Sequence, residues 1–155
     1  MKTKIDIAIR EAGLKDSTAI VQLIAELAAT GGEHSPLMEA YVEKYLSFPA
    51  SKVLLAEARG QVVGLLSYSI RPDLYHAGNS CLIEELIVHE TFRGQGVGSA
   101  LMTELFTRLA DEDCVEVSVT TMADNIPAIQ FYRSQGLTDD AVYLEKHFQL
   151  DTGGT

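Results

Sequence analysis

Apolar and polar residues alternate or recur along the first fifty residues in a way that predicts one strand and two helices. Strict alternation over Ile5–Arg10 is typical of a strand. A stripe of apolar residues at helical spacing follows Asp16, which is placed to cap a helix that ends at a pair of glycines. A second helix is expected to begin at Ser35-Pro36, where the missing N–H of proline costs nothing, and to stop before Pro49.

The rest of the chain shows both hairpin and crossover connections. The elements expected there are strands over Val53–Ala58, Val62–Ile70 and Leu82–Val88, a helix over Val97–Ala110, a strand over Val115–Val119, a helix over Ile126–Gln135 and a closing strand over Ala141–Leu150. The order β-α-α-β-β-β-α-β-α-β predicts an α+β (mixed α/β) fold, in which helices flank one mixed, mostly antiparallel, twisted sheet. We expect residues 1–150 to form a single domain and residues 151–155 to be a frayed tail.

Charge and composition remove several classes of function. The 155 residues carry a formal net charge of −10, which disfavours binding to nucleic acid or to a membrane surface and would suit a cationic partner. The chain shows no apolar leader and no run near the roughly 18 apolar residues of a membrane span. Cys81 and Cys114 lie inside strand-like runs and are interpreted as buried thiols in a reducing compartment, so we expect a cytoplasmic protein.

A glycine-rich turn connects the third long strand to the helix that follows it. Its sequence is Arg93-Gly94-Gln95-Gly96-Val97-Gly98-Ser99. Glycines there let N–H groups converge on one point, and the helix adds the positive end of its dipole, so the turn suits a pyrophosphate. A Walker loop would need a lysine that is missing, and a dinucleotide fingerprint would need a different glycine spacing.

Two motifs give the chain its resemblance to a known family. Arg93-x-x-Gly96-x-Gly98 resembles the Q/R-x-x-G-x-G/A signature of the GNAT acetyltransferase superfamily, and the segment from Asn125 to Gly136 resembles that family's N-x-x-A-x-x-F/L-Y-x-x-x-G segment. The resemblance covers residues 5 to 150. It implies the GNAT fold, acetyl-CoA as the acyl donor, and transfer of the acetyl group to a primary amine by direct attack in a ternary complex.

The resemblance also implies where the acyl donor and the reacting groups would be. The cofactor-binding residues expected from it are Leu86, Ile87 and Val88 along the strand, Arg93, Gly94, Gln95, Gly96, Val97, Gly98 and Ser99 in the turn, and Asn125, Ala128 and Tyr132 in the later helix. Tyr132 would hydrogen-bond or protonate the leaving thiolate. Glu84 resembles the general base of polyamine-acetylating members. Because side chains alternate along a strand, Glu84 and Glu85 are expected to face opposite sides of the sheet.

The acceptor is not fixed by these motifs. Glu33, His34 and Glu85 are candidate substrate-binding residues. Acids in the segment from Gly31 to Pro49 and in an expected loop from Arg71 to Asn79 could hold a second positive charge of a diamine, polyamine or aminoglycoside-like acceptor; these acids are Glu33, Glu39, Glu43 and Asp73. The histidines show no metal-ligand spacing, so no metal is expected. Alternatives are a protein or peptide N-acetyltransferase, and an acetyl-CoA sensor or structural subunit without catalysis. The closing strand could also pair across a homodimer.

Overall fold

The computed structural model describes residues 4–149, and these fall into two compact units that divide after Val119. The regular elements of the first unit are β1 (Ala8–Glu11), α1 (Ser17–Thr30), α2 (Glu39–Leu46), β2 (Ser51–Ala58), β3 (Gln61–Asp73), β4 (Gly78–Val88), α3 (Val97–Leu109) and β5 (Cys114–Val119). The second unit contains α4 (Ile126–Ser134). None of the helices within residues 4–149 is long and apolar enough to span a membrane.

The first unit is built on a five-stranded sheet whose strands follow chain order, β1-β2-β3-β4-β5. The first three pairings are antiparallel, and only β4 and β5 run parallel. Between β2 and β3, Arg59 and Gly60 both have positive φ, 50° and 75°. Two such residues make the turn whose twist matches a tight hairpin. The mixed, mostly antiparallel sheet and the α+β class predicted from the sequence are therefore confirmed.

Helices cover both faces of this sheet. α1 and α2 cover one face, where Leu23, Val42, Val53, Leu65 and Ile87 are among the buried residues of a single apolar cluster. α3 contacts the strands from the other face. There its fully buried residues include Val97, Leu101, Met102 and Leu105. Burying apolar side chains on both faces fixes the register of the central strands.

Several predicted boundaries are wrong, and local hydrogen bonds explain one of them. The second helix begins at Glu39 rather than at Ser35-Pro36, because the Ser35 hydroxyl accepts a hydrogen bond from the Leu37 N–H and forms a local turn instead. β1 begins at Ala8 rather than Ile5. β3 and β4 extend to Asp73 and from Gly78, so most of the predicted loop from Arg71 to Asn79 is hairpin.

The predicted closing strand is also wrong for the part that the structure describes. Residues 137–149 have no regular secondary structure. Val142, Leu144 and Phe148 are 88%, 88% and 78% exposed, so the apolar side of the alternating pattern has found no surface to cover. Strand propensity depends on packing against a neighbouring strand, and no strand in the described part of the chain pairs with this segment. Leu150 and the predicted frayed tail, 151–155, lie outside the described residues.

The cysteines of the first unit are both free. Cys81 is fully buried in β4, and burial raises the pKa of its thiol to about 12. Cys114 in β5 is only partly buried, which differs from the prediction of two buried thiols, and burial also raises its pKa. Both thiols stay protonated at neutral pH, and a thiol is a much weaker nucleophile than a thiolate. Neither cysteine is therefore a candidate nucleophile.

The start of α1 is held by an ion pair rather than by a side-chain cap. Asp16 occupies the predicted N-cap position, but its carboxylate accepts hydrogen bonds from the Arg10 guanidinium at 2.7 and 2.8 Å and from the Gly13 N–H at 2.8 Å. Arg10 also donates to Glu57 of β2 at 2.7 Å. Arg10, which lies in β1, is therefore bonded both to β2 and to the beginning of α1.

We predict that Asp16→Asn lowers the free energy of unfolding at pH 7 by roughly 2 kcal/mol. The Arg10 guanidinium holds the pKa of Asp16 at about 2, below its unfolded value, so the charged form stabilises the fold above about pH 4 and this contribution is lost as the pH falls toward 2. Denaturant titrations at several pH values measure the effect. Asp6→Asn, at an exposed acid nearby, is the control. A wild-type-minus-variant difference that stays constant from pH 5 to pH 2 would contradict the assignment.

Candidate active site

The turn between β4 and α3 places two glycines in conformations that other residues rarely adopt. Gly94 has φ of 73° and Gly96 has φ of 87°, and apart from chain neighbours no atom lies within 4 Å of where a Cβ would be at either. α3 starts directly behind them, and its first hydrogen bond runs from the Ala100 N–H to the Gly96 carbonyl at 3.0 Å. The first-turn N–H groups of a helix have no acceptor within it, so this open, donor-rich turn fits a diphosphate.

The other residues predicted to bind the cofactor in this turn differ in burial and in their contacts. Val97 is buried, and a Cβ built at Gly64 of β3 would lie 2.9 Å from its Cγ1, so Val97 can offer a ligand only its backbone. The Gln95 side chain donates to the Thr91 carbonyl at 3.2 Å. Gly98 is partly exposed and Ser99 exposed on the first turn of α3.

The Arg93 side chain is bonded both to β4 and to α1. Its Nε donates to the Val88 carbonyl at 2.9 Å, and its Nη2 lies 3.3 Å from Oε1 of Glu26 on α1. The same Glu26 oxygen accepts a hydrogen bond from the Glu90 N–H at 2.8 Å. Arg93 therefore fixes the turn against β4 and α1 in addition to supplying positive charge. Sequence reasoning missed Glu26, since it lies more than sixty residues away and belongs to no motif.

The last part of β4 has one free edge within the sheet. β5 pairs with β4 only as far as Ile83, whereas β3 continues to pair with β4 as far as Val88. The N–H groups of Glu85 and His89 point toward β3, where they donate to Ser67 Oγ and the Val63 carbonyl. Because backbone groups alternate in direction along a strand, those of Leu86 and Val88 point toward the free edge.

Of the three strand residues predicted to bind the cofactor through their backbone, only two have backbone groups on the free edge of β4. Leu86 and Val88 can pair with an added extended ligand, as an extra strand would. By the same alternation, the backbone of Ile87 faces β3, and its side chain lies in the core beneath α1 and α2. The Val88 carbonyl is already used by Arg93, so the free groups on this edge include the Val88 N–H and both backbone groups of Leu86.

A β-bulge in β4 changes the direction of one of its two adjacent glutamates. Ser67 pairs with Glu85 and Tyr68 with Ile83, so Glu84 is an extra residue without a partner of its own on β3. The Ser69 hydroxyl donates to Glu84 at 3.0 Å, and the Ser67 hydroxyl donates to Glu85. Ser67 and Ser69 are two residues apart on one strand and so face the same side. The expectation that the glutamates face opposite sides is therefore wrong.

Both carboxylates lie on the face that α1 and α2 cover, but their surroundings differ. Glu84 is exposed, whereas Glu85 is partly buried. Burial raises the pKa of Glu85, the Ser67 hydrogen bond opposes this rise, and the charge of Glu84 adds to it. Tyr45 of α2 lies close enough to both glutamates for their charges to raise the pKa of its phenol, although its burial is the larger cause.

The second unit holds the predicted tyrosine and asparagine. Asn125 caps α4, its side-chain oxygen accepting a hydrogen bond from the Ala128 N–H at 3.3 Å. Gly136, with φ of 96°, follows the end of the helix as expected. Burial raises the pKa of Tyr132 to about 12, so its phenol is protonated at any physiological pH. The family resemblance implies a ligand-binding role for Asn125, whereas its observed contact is the cap of α4.

The other predicted acceptor residues are scattered. Glu33 and His34 are exposed in the segment after α1, and Glu39 accepts a hydrogen bond from Thr18 of α1 at 2.6 Å. Asp73 is bonded to His76 and Ser80 at the tip of the β3–β4 hairpin. Of the predicted substrate residues Glu33, His34 and Glu85, only Glu85 lies beside Glu84. Among residues 4–149 no group of three or more His, Cys, Asp or Glu could hold a metal ion.

Comparisons with known proteins show which family the chain belongs to. The family model described as Acetyltransferase (GNAT) family matches residues 20–137. An aminoalkylphosphonate N-acetyltransferase of Salmonella typhimurium strain LT2 is 29% identical over 144 residues, which cover 92% of this chain and 88% of that protein.

Solved structures share the fold. A transcriptional regulator from Bacillus halodurans C-125 has a TM-score of 0.81 and 27% identity, covering 92% of this chain and 100% of that one. An aminoglycoside acetyltransferase from an uncultured soil metagenomic sample has a TM-score of 0.78 and 23% identity, covering 93% and 96%. The free β4 edge, the open glycine turn and the family match lead to one conclusion: the chain belongs to the GNAT family of acetyltransferases, acyltransferases that use acetyl-CoA as the acyl donor.

Proposed function

We propose that this enzyme transfers an acetyl group to a primary amine of a small molecule. The observation that carries the proposal is the free edge of β4, which begins where β5 stops pairing and runs between the two carboxylates and the glycine turn. When bound, acetyl-CoA supplies an activated thioester. Its diphosphate would be held by N–H groups from Gly94 to Ser99, and its extended arm by Leu86 and Val88.

The protein's own groups would prepare the amine and the thioester for reaction. A lysine-like ammonium titrates near about 10.4, so a nearby carboxylate is needed to take its proton at neutral pH. Glu84 is the base suggested by the family resemblance, and Glu85 lies beside it. A backbone N–H on the free edge of β4 can polarise the thioester oxygen. Holding both reactants in one place supplies proximity.

We assign Tyr132 the role of a hydrogen-bond donor to the leaving sulfur. A phenol with a pKa of about 12 is a weaker acid than a thiol, which titrates near about 8.5, so full proton transfer from Tyr132 to the thiolate is unfavourable. A hydrogen bond to the developing negative charge carries no such penalty. This role is carried by the resemblance of the segment from Asn125 to Gly136, in which Asn125 and Ala128 would line the ligand.

For the acceptor we propose a cationic amine. The net charge of −10 and the paired carboxylates of β4 support it. The relatives named above act on aminoalkylphosphonates and aminoglycosides, both small molecules that carry amines. We also propose that both units form one acetyltransferase domain, since the family match runs across Val119 without a break. A homodimer and a cytoplasmic location stay predictions.

A second candidate function is binding of acetyl-CoA without catalysis. It is favoured by the high similarity to a structure named as a transcriptional regulator. The two candidates differ in one measurable property. The enzyme releases CoA thiol faster than background hydrolysis when an acceptor is present, and a sensor does not.

The test is a thiol-release screen with acetyl-CoA across aminoalkylphosphonates, aminoglycosides, polyamines, amino acids and peptide N-termini. We expect at least one cationic small molecule to raise the rate of thiol release well above the rate with buffer alone. Release only with peptides would favour a protein N-acetyltransferase. No release with any amine, together with tight binding of acetyl-CoA, would favour the sensor.

We predict that Gly96→Glu abolishes measurable binding of CoA in calorimetry. The substitution places a side chain and a negative charge where the diphosphate is expected, and it strains a backbone with φ of 87°. Gly32→Glu is the matched control, because Gly32 has φ of 72° and equally open surroundings but lies after α1, outside the turn. Unaltered CoA affinity in Gly96→Glu would refute the diphosphate site.

We predict that Tyr132→Phe lowers kcat by about 10²-fold, within the usual range for one acid–base or hydrogen-bonding group. The loss should stay the same from pH 6 to pH 9, because the phenol does not titrate there. Tyr143→Phe, at an exposed tyrosine of the same unit, is the control and should match the wild type. A kcat equal to that of the wild type in Tyr132→Phe would remove Tyr132 from the mechanism.

A further inference from the structure

We infer that Glu85, rather than Glu84, takes the proton from the acceptor amine, that Ser67 positions its carboxylate, and that Glu84 binds the ammonium before this transfer. The inference rests on the proposed function and assigns separate tasks to the two glutamates of β4. It comes from the bulge, which brings both carboxylates to one face of the sheet.

Glu85 lies one residue closer than Glu84 to the free edge of β4. The residue directly follows the bulge, and Leu86, the next residue, has its backbone groups on the free edge of the strand. The Glu85 side chain therefore starts one residue from the place where an extended ligand would pair with β4. Glu84 lies one residue farther back, next to Ile83, where pairing with β5 ends.

The Glu85 residue is held by more hydrogen bonds than Glu84 is. Ser67 is buried and makes two contacts with Glu85: its hydroxyl donates to the carboxylate, and its oxygen accepts a hydrogen bond from the Glu85 N–H at 3.0 Å. Glu84 is exposed and accepts one hydrogen bond, from the Ser69 hydroxyl at 3.0 Å. A base must keep one geometry relative to the proton that it removes, whereas an ammonium-binding group can remain mobile.

Apart from hydroxyl groups, the surroundings of Glu85 are apolar or negatively charged. The titratable groups that face it are Glu84 on its own strand and Tyr45 on α2, while α1 and β2 bring apolar side chains such as Leu23 and Val53 to the same face. No cationic side chain in the described part of the chain lies within ion-pair distance of either glutamate. A carboxylate with this environment gains affinity for a proton, which suits a base, and the pair has an unneutralised charge that suits an ammonium.

During acetyl transfer the acceptor amine loses two protons and forms one bond to the acetyl carbon. The ammonium of the acceptor gives one proton to the Glu85 carboxylate, which becomes a carboxylic acid, and the nitrogen regains its lone pair. That lone pair forms the new N–C bond while the C–S bond of the thioester breaks, and the bonding pair leaves on sulfur. The nitrogen then loses its second proton, which converts the departing thiolate to the thiol. Glu85 later returns its proton to water.

The matched variants Glu85→Gln and Glu84→Gln separate the two tasks. They are tested in the full chain with the best acceptor of the thiol-release screen. Glu85→Gln should lower kcat by about 10²- to 10³-fold, which is within the range for a general base, with KM changed less than tenfold. Glu84→Gln should raise KM about tenfold for a cationic acceptor while lowering kcat far less than Glu85→Gln does. Equal melting temperatures would show that both variants fold.

The dependence of kcat/KM on pH gives an independent readout. Activity should fall on the acidic side as Glu85 becomes protonated. Ser67→Ala removes a hydrogen bond that lowers the pKa of Glu85, so this acidic limb should move to higher pH, and Ser67→Thr, which keeps the hydroxyl, should restore it. Glu84→Gln removes a charge that raises the same pKa, so the limb should move to lower pH. Ser69→Ala should leave the limb closer to its wild-type position than Ser67→Ala does.

The outcomes distinguish this inference from the proposed function. If Glu84→Gln eliminates the acidic limb and most of kcat while Glu85→Gln only shifts the limb, the acetyltransferase assignment stands and the inference is overturned. If Glu85→Gln keeps wild-type kcat, the inference is overturned as well. If the wild-type protein releases no thiol with any amine, the proposed function fails and the inference with it.

Discussion

The pairing of β4 with β5 stops at Ile83, and the candidate chemistry of this protein depends on that early end. A strand in the middle of a sheet normally has hydrogen bonds on both edges, and an unpaired edge readily accepts another extended chain. Here the last residues of β4 keep β3 on one side, and on the other side no strand within residues 4–149 pairs with them. The glycine turn and the start of α3 follow directly. An extended ligand with an anionic end can therefore pair with the strand and place its charge on the turn.

The bulge at Glu84 decides which face of the sheet the two glutamates of β4 occupy. One extra residue changes the alternation of β4, so that Glu84 and Glu85 share a face while Ile83 and Ile87 remain buried on opposite faces of the sheet. The core is thereby preserved on both sides of the irregularity. The cost is two like charges on one face, and hydroxyl donors from Ser67 and Ser69 offset part of it.

The positive charge of the glycine turn comes from Arg93, which is bonded to other groups of the protein. Arg93 is bound by Glu26 and by the Val88 carbonyl, and Glu26 in turn holds the Glu90 N–H. The charge of the arginine is thus partly compensated within the protein, and the donors that remain for an anion are mainly backbone N–H groups. Backbone donors in a fixed turn suit a diphosphate because they need no rearrangement when it binds. The arginine and its partners keep that turn in place.

Local patterns along the chain were sufficient to predict the class of fold, most of the elements and the family. Hydrophobic periodicity, the Arg59-Gly60 turn and the glycine spacing after β4 are local signals, and the structure agrees with them because each depends on neighbours a few residues away. Features that depend on partners distant in the chain become visible only once the chain is folded. These are the bulge that brings Glu84 and Glu85 together, the Glu26–Arg93 pair, and the failure of residues 141–149 to form a strand. Alternation cannot reveal a residue that has no cross-strand partner, and it cannot show whether an amphipathic segment has a surface to cover.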